Sequence, residues 1–349
     1  MNTFNIFPFG KTPKGETVYR ICLKSGLISC EIITYGATLR VLKVPDRNGT
    51  PVDIVLGYDT LEQYISEDGY LGATVGRFAN RIAKGTFTLN GQHYSLPINN
   101  GNNHLHGGTE GFSHRNWEIE RATENAVTLC LTSPDGDQGY PGTLKATAEY
   151  ILTENALIIR HTALSDKDTI CSLTNHSYFN LSGHNSGSAM DQKIRLFSNE
   201  FTPSDAENIP LGTVLPVEGT PMDLRELRPI STHISDSYTQ LKQANGYDHN
   251  YIVNGACGVL RPAATASSDQ TGITMQVDTT LPGIQLYTAN FINEGCIGKG
   301  NCTYGPRHAF CLETQYYPDA INHANFPSPI LKAGELYNHE TVFRFPKAQ

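Results

Sequence analysis

Turn chemistry interrupts this chain about every ten residues, and that spacing narrows its possible folds more than any other feature. Between the turns lie short runs rich in β-branched and aromatic residues: 17–23, 27–34, 39–44, 52–56, 86–89, 127–131, 144–152 and 156–163, then 272–279, 283–287 and 341–345. Many short strands separated by regular turns indicate an all-β sandwich or barrel. Asn48-Gly49 and Asn90-Gly91 fall between such runs and read as hairpin turns, because Asn and Gly enter the left-handed backbone region at little cost. Helical periodicity is confined to 61–66 and 234–244. A chain of 349 residues would by length alone suggest about two domains. No Pro/Ser/Gly-rich linker divides it, so residues 1–349 are expected to form one large all-β domain. The excursions 99–116, 133–142, 182–188 and 291–307 exceed ordinary connection lengths and are where function is expected.

Charge and patterning exclude several classes. Twenty-six Lys and Arg against 34 Asp and Glu leave a net charge of −8, the wrong sign for a phosphate backbone, so nucleic acid is not expected as a partner. The N-terminal segment contains Phe4, Ile6, Phe7 and Phe9 but no basic start leading into a continuous apolar run, so it does not read as a secretory signal. The apolar stretch Ala156-Leu157-Ile158-Ile159 stops at Arg160, far short of the roughly 18 residues of a membrane span. A soluble, cytoplasmic chain is expected, with no membrane partner. Eight cysteines are scattered without a C-x-x-C pair and read as buried thiols rather than a disulfide framework or zinc site. Gly10-Lys11-Thr12 lacks the P-loop glycine five positions earlier, Gly298-Lys299-Gly300 lacks the third dinucleotide glycine, and Asp135-Gly136-Asp137 lacks later calcium ligands. All three read as turns.

Four segments carry polar side chains that a loop does not need for its own stability. They are Gly76-Arg77-Phe78-Ala79-Asn80-Arg81-Ile82 with the asparagine-rich stretch ending in His104-Leu105-His106-Gly107-Gly108; Thr174-Asn175-His176-Ser177-Tyr178; Gly246-Tyr247-Asp248-His249-Asn250; and Phe310-Cys311-Leu312-Glu313-Thr314-Gln315. If extended, His104 and His106 share a face as two metal ligands could, but further ligands at zinc-like spacing are not apparent, and no metal is expected. His176 is either a satisfied core histidine or a functional one. Glu313 follows an apolar run, where a carboxylate is unfavourable unless paired or catalytic. Arg77 and Arg81 form either a surface cationic pair or, for one of them, a donor fork in a polar pocket.

Together these segments resemble the aldose 1-epimerases. The resemblance runs through 76–85, 105–108, 133–142, 173–183, 219–223, 247–250, 279–285 and 312–326, and the order and number of these motifs make it specific. It implies a large antiparallel β-sandwich with an open groove. It also implies interconversion of the α and β anomers of free aldohexoses such as galactose and glucose, in hexose metabolism, with no cofactor and no metal. The family's base falls on Glu313 and its acid on His176; its sugar contacts fall on Asn80, Arg81, His106, Ser177, Tyr178, Asp248 and Gln285. The implied partner is a small-molecule aldose, and the expected state a monomer or weak homodimer.

Such chemistry removes a proton from the C1 hydroxyl while delivering one to the ring oxygen, so a carboxylate and a protonated imidazole on opposite sides of that linkage suit it. On this reading Glu313 is ionised and surrounded by donors, and the His176 pKa is raised by a carboxylate neighbour. Three other readings compete: a sugar binder without turnover, a glycoside hydrolase pairing Asp248 with Glu313, and a phosphosugar epimerase with Arg77 and Arg81 as its clamp.

Overall fold

The computed structural model describes residues 5–67 and 69–346. Phe4, counted above in the N-terminal segment, lies outside them. The alternating runs become strands. In Leu144–Leu152, Leu144, Ala146, Ala148, Tyr150 and Leu152 are buried while the residues between them are more open. The neighbouring Ala156–Ser165 alternates in the same way and pairs with it antiparallel, Leu152 opposite Leu157 and Leu144 opposite Ser165. A period of two gives each strand one apolar and one polar face, and only a sheet with one side packed uses both.

Three sheets carry most of the fold, and their strand pairs are antiparallel. A five-stranded meander runs in chain order through Ile6–Lys11, Thr17–Ser25, Ile28–Ile33, Thr38–Pro45 and Pro51–Asp53. A nine-stranded sheet is built around Ala126–Ser133, Leu144–Leu152, Ala156–Ser165 and Leu336–Arg344. A six-stranded sheet runs Tyr178–Phe179, Phe310–Gln315, Gly283–Tyr287, Asp248–Ile252, Glu200–Phe201, Leu215–Pro216. One apolar cluster joins them: Ile32 and Leu42 from the meander, Leu129, Leu157 and Phe343 from the nine-stranded sheet, and Ile284, Leu312 and Phe179 from the six-stranded sheet. The result is a large antiparallel β-sandwich.

The Asn90-Gly91 turn joins Thr86–Leu89 to Gln92–Ser95 with φ of 53° and 77°, the left-handed pair that a two-residue hairpin of this twist requires. Near Asn48-Gly49, Asp46 Oδ1 accepts from the backbone N–H groups of Asn48 and Thr50 at 2.8 Å. Of the run 52–56 only Val52 and Asp53 pair in the meander, within the strand Pro51–Asp53. Ile54, Val55 and Leu56 are fully buried and pass through the core, with Val55 bridging to Phe179.

The helix over 61–66 forms, and Thr60 and Gln63 close a capping box at its start. The helix expected over 234–244 is reduced to Thr239–Gln243. His233 and Asp236 explain the loss: their side chains meet at 2.8 Å and the Asp236 N–H donates to the His233 carbonyl, so this Ser/Asp-rich stretch closes its own turn instead. Gly10-Lys11 ends the strand Ile6–Lys11 and is not a turn. Lys299 is buried, its Nζ donating to Asp53 Oδ2 at 2.6 Å and to the carbonyls of Arg40 and Val55. Phe310–Gln315 carried no alternation to announce it, because both of its faces are buried.

Candidate active site

One wall of the site is a sheet face. Glu313 lies opposite Gln285, Gln285 opposite Asn250, Tyr287 opposite Asp248 and Cys311, and Cys311 opposite Tyr178. Side chains alternate along a strand, so Glu313, Gln285, Asp248, Tyr287 and Tyr178 project to one side while Leu312, Ile284, Leu286 and Tyr251 enter the apolar core on the other.

The facing wall is made of loops held by backbone hydrogen bonds. Arg81 sits in a two-residue strand paired with His104–Leu105, and His106 follows with φ of 53°. The His106 N–H donates to the Asn80 carbonyl at 3.0 Å, and the Asn80 N–H donates back to His106 Nδ1 at 3.1 Å. Asn80 Oδ1 accepts from the Arg81 N–H at 2.8 Å, and Arg81 Nε donates to Asn100 Oδ1 at 3.1 Å. The turn after His106 brings two backbones together: a Cβ at Gly107, where φ is 84°, would overlap the Gly76 carbonyl oxygen. Glycine is the residue that allows this approach.

Between the walls is a cavity of about 580 Å³, within the ordinary range for a small-molecule site. Asn80, Arg81, His106, His176, Tyr178, Asp248 and Glu313 line it. Ser177 and Gln285, expected as sugar contacts, are buried and engaged by neighbouring side chains. Ser177 Oγ donates to Asn175 Oδ1 at 2.5 Å. Gln285 Nε2 donates to Asp248 Oδ1 at 2.7 Å, while its Oε1 accepts from Gln315 Nε2 at 3.2 Å, so Gln285 orients Asp248. Tyr70, His114, Asn208, Tyr287 and Phe291 also line the cavity and were not singled out in the sequence. Asn99 and Asn100 line it too, and the asparagine-rich composition of their stretch was the available signal.

His176 lies between two aromatic rings, Tyr178 at 5.0 Å and Tyr70 at 6.0 Å, both roughly parallel to it. Its Nε2 is 3.4 Å from Glu313 Oε2. That carboxylate oxygen is buried and finds no hydrogen-bond partner among the described residues. Burial, reinforced by Asp248 and opposed by Arg81, holds the Glu313 carboxyl well above the usual carboxylate range. Burial pushes the His176 imidazole down to about 4. Both directions oppose the sequence expectation of a donor-surrounded Glu313 and a raised histidine, because burial is the largest effect on each group and outweighs Arg81 at Glu313. Asp248 is raised by burial against the opposing effects of Arg81 and the Gln285 hydrogen bond.

His104 and His106 do not share a face. His104 Nδ1 and Nε2 meet the Pro97 carbonyl and the Tyr140 hydroxyl, each at 2.7 Å, whereas His106, at φ of 53°, lines the cavity. Arg77 and Arg81 part as well. Arg77 is buried, and its guanidinium donates to the carbonyls of Ser133, Pro134, Pro141 and Gly142, which closes the 133–142 excursion. The donor atoms of His106, His176 and Glu313 lie within 4.8 Å of one another, a spacing a metal ion could bridge. His106 does not fit that role. Its Nδ1 accepts the Asn80 N–H, which leaves the proton on Nε2 and makes the free ring nitrogen a hydrogen-bond donor rather than a ligand.

The arrangement offers a buried carboxyl and an imidazole in contact, an imidazole donor, a guanidinium, and a second carboxyl held by amides. The sequence profile of the aldose 1-epimerase family matches residues 19–344. Galactose mutarotase from Bos taurus is 42% identical over 341 residues, covering 97% of this chain and 98% of that protein. Aldose 1-epimerase from Escherichia coli is 35% identical over 338 residues, covering 95% and 96%. Among solved structures, a galactose 1-epimerase from Lactobacillus acidophilus superposes with a TM-score of 0.86 at 29% identity, covering 99% of each chain. A fold of this kind, with these motifs in this order over nearly its whole length, places the chain in the aldose 1-epimerase family.

Proposed function

We propose that the protein is a mutarotase that interconverts the α and β anomers of free aldohexoses such as galactose and glucose. The observation that carries this reading is Glu313 Oε2: a buried acceptor without a hydrogen bond among the described residues, 3.4 Å from His176 Nε2, on a residue that lines a polar cavity. A C1 hydroxyl donating to that oxygen would satisfy it. The names of the relatives support the same activity.

On this reading Glu313 and His176 share one proton, as carboxylic acid with imidazole or as carboxylate with imidazolium. Burial favours the first form in the free protein. A sugar hydroxyl donating to Glu313 favours the second, because the carboxylate gains the hydrogen bond it lacks. Glu313 then takes the O1 proton as His176 gives its proton to O5, the C1–O5 bond breaks and the C1 aldehyde forms. Rotation about C1–C2 presents the other carbonyl face. His176 takes the O5 proton back as O5 attacks C1, and the carboxylic acid of Glu313 protonates O1. The proton count is unchanged and no electrons are transferred. General acid and base steps of this kind contribute about 10²–10⁴-fold each. Arg81 and the His106 Nε2–H supply donors to sugar and to developing oxygen charge, and Asn80 braces both. Asp248, held by Gln285, accepts from hydroxyls farther round the ring.

A phosphosugar reading is weaker, because Arg81 is the only Lys or Arg among the described residues that line the cavity and one guanidinium is not a clamp. The site draws on residues from Asn80 to Glu313, in support of one functional unit over 1–349. Eight free cysteines suit a reducing, cytoplasmic setting, and no helix among the described residues is long and apolar enough to cross a membrane. Polarimetry on freshly dissolved α-galactose, α-glucose and galactose 6-phosphate tests the reading. Catalysed equilibration of the two free sugars is expected, and no acceleration above the uncatalysed rate with any of them would refute it.

A further inference from the structure

The loop 204–210 carries a polar group that the mechanism above does not use. Asn208 lines the cavity beside Asp248, with its backbone at φ of 60°. Its Nδ2 donates to Asp248 Oδ2 at 3.3 Å, which fixes the amide so that Oδ1 is the atom left over. That oxygen is buried and has no hydrogen-bond partner among the described residues. A buried acceptor left unpaired is unfavourable, and on a residue that lines a ligand cavity it is relieved when the side chain turns to meet a ligand donor. Asp248 can only accept when ionised and Gln285 already donates to it, so the Asp248–Asn208 pair presents acceptors side by side, a match for sugar hydroxyls as donors.

The loop is fixed at both ends of this contact. Asp205 Oδ1 accepts from the N–H groups of Glu207 and Ile209 at 2.8 and 3.0 Å, closing a tight turn around Asn208. Glu207 in turn accepts from Asn102 Nδ2 at 2.7 Å and from Asn103 Nδ2 at 2.9 Å. Asn102 and Asn103 belong to the turn whose Asn100 holds Arg81. Glu207 therefore ties the Asp248 side of the cavity to the Arg81 side.

We propose that Asn208 is a specificity-determining residue whose Oδ1 accepts a hydrogen bond from one ring hydroxyl of the bound aldose, with Glu207 as the positioning residue that holds its loop against Asn102 and Asn103. This rests on the mutarotase reading for the identity of the ligand. It goes beyond that reading in assigning one hydroxyl to one side-chain oxygen.

Asn208→Gly is the informative variant, because glycine keeps the positive φ and removes only the amide. For galactose, KM and the Kd from an equilibrium NMR titration are expected to rise together by about 3- to 10-fold, the size of one hydrogen bond, with kcat within about twofold. Repeating the titration with 2-, 3-, 4- and 6-deoxygalactose identifies the hydroxyl: one of the four should bind wild type and variant equally, while the other three keep the difference. Glu207→Ala should raise Kd for all of them by a smaller factor. An unchanged Kd for galactose in Asn208→Gly overturns the proposal, and so does a loss that persists with every deoxy sugar, which would mark a structural effect. The titration does not require turnover. If wild type binds galactose but does not interconvert its anomers, the functional reading fails while this inference is still decided by the Kd series.

Discussion

The nine-stranded and six-stranded sheets share one alternation rule and put it to opposite uses. In the nine-stranded sheet the second face is open, and polar side chains on it meet each other: Thr147 and Thr162 hydroxyls lie 2.7 Å apart, and Arg160 bridges Glu149 at 2.9 Å and Glu340 at 3.1 Å. In the six-stranded sheet the second face is also polar, but it is buried. Gln285 and Glu313 are only 3% and 2% exposed, and Glu313 Oε2 is unsatisfied. Polar groups placed in low dielectric lose stability and gain strong, directed interactions with whatever enters the cavity. The first sheet is therefore a scaffold and the second a reactive surface supported by it.

Substitutions that separate the two roles test this contrast. The largest effect is expected on the buried polar face: Glu313→Gln and His176→Asn should each lower kcat/KM by about 10²–10⁴. Glu313→Gln should melt near wild type, because it keeps the side-chain shape and ends the burial of a titrating carboxyl, whereas His176→Asn removes a ring stacked between Tyr178 and Tyr70 and should melt lower. Next comes the scaffold. Leu157→Ala should lower stability in urea by about 2–5 kcal/mol, the range for a fully buried leucine, and leave kcat/KM per folded molecule unchanged. A large drop in activity of the folded Leu157→Ala protein would mean that the two regions are not separable.

The third expectation concerns pH. Activity requires the Glu313–His176 pair to hold one proton. As pH falls, a second proton binds when the lowered His176 value of about 4 is passed, the carboxylate is no longer available, and kcat/KM drops. As pH rises, the last proton is retained until the raised Glu313 value is passed, so the alkaline limb begins well above the usual carboxylate range. A polarimetric profile should show a broad plateau between them. An acid limb near the ordinary histidine value of about 6.5 would contradict the burial argument. The smallest effect is at the Asn90-Gly91 turn: Gly91→Ala has open space around the added Cβ but keeps a φ of 77°, so about 1–2 kcal/mol of stability and no activity should be lost.

The scaffold was easier to read from the sequence than the site. Leu144–Leu152 and Gly283–Tyr287 have the same ends in sequence and structure, because turn residues bound a β-rich run on both sides. Phe310–Gln315 was readable only as a polar motif in an apolar setting, since a strand buried on both faces shows no period of two. Glu313, His176, Arg81, His106 and Asp248 were found through motif strings, and the structure brings them to one cavity. Ser177 and Gln285 belong to the same strings, and their hydrogen bonds to Asn175, Asp248 and Gln315 had no signal there, because no string records which way a side chain points. Asn208 and Tyr70 had no signal. Each depends on a left-handed backbone in a loop, at φ of 60° and 53°, and on a neighbour far away in the chain.

Exchange NMR between the α and β anomeric protons of galactose at equilibrium, run on Glu313→Gln and wild type with matched melting curves, tests the central claim most directly. The account predicts rapid exchange for wild type, exchange close to the uncatalysed rate for the variant, and a variant that melts no lower. Exchange near the wild-type rate in a folded Glu313→Gln protein would contradict it.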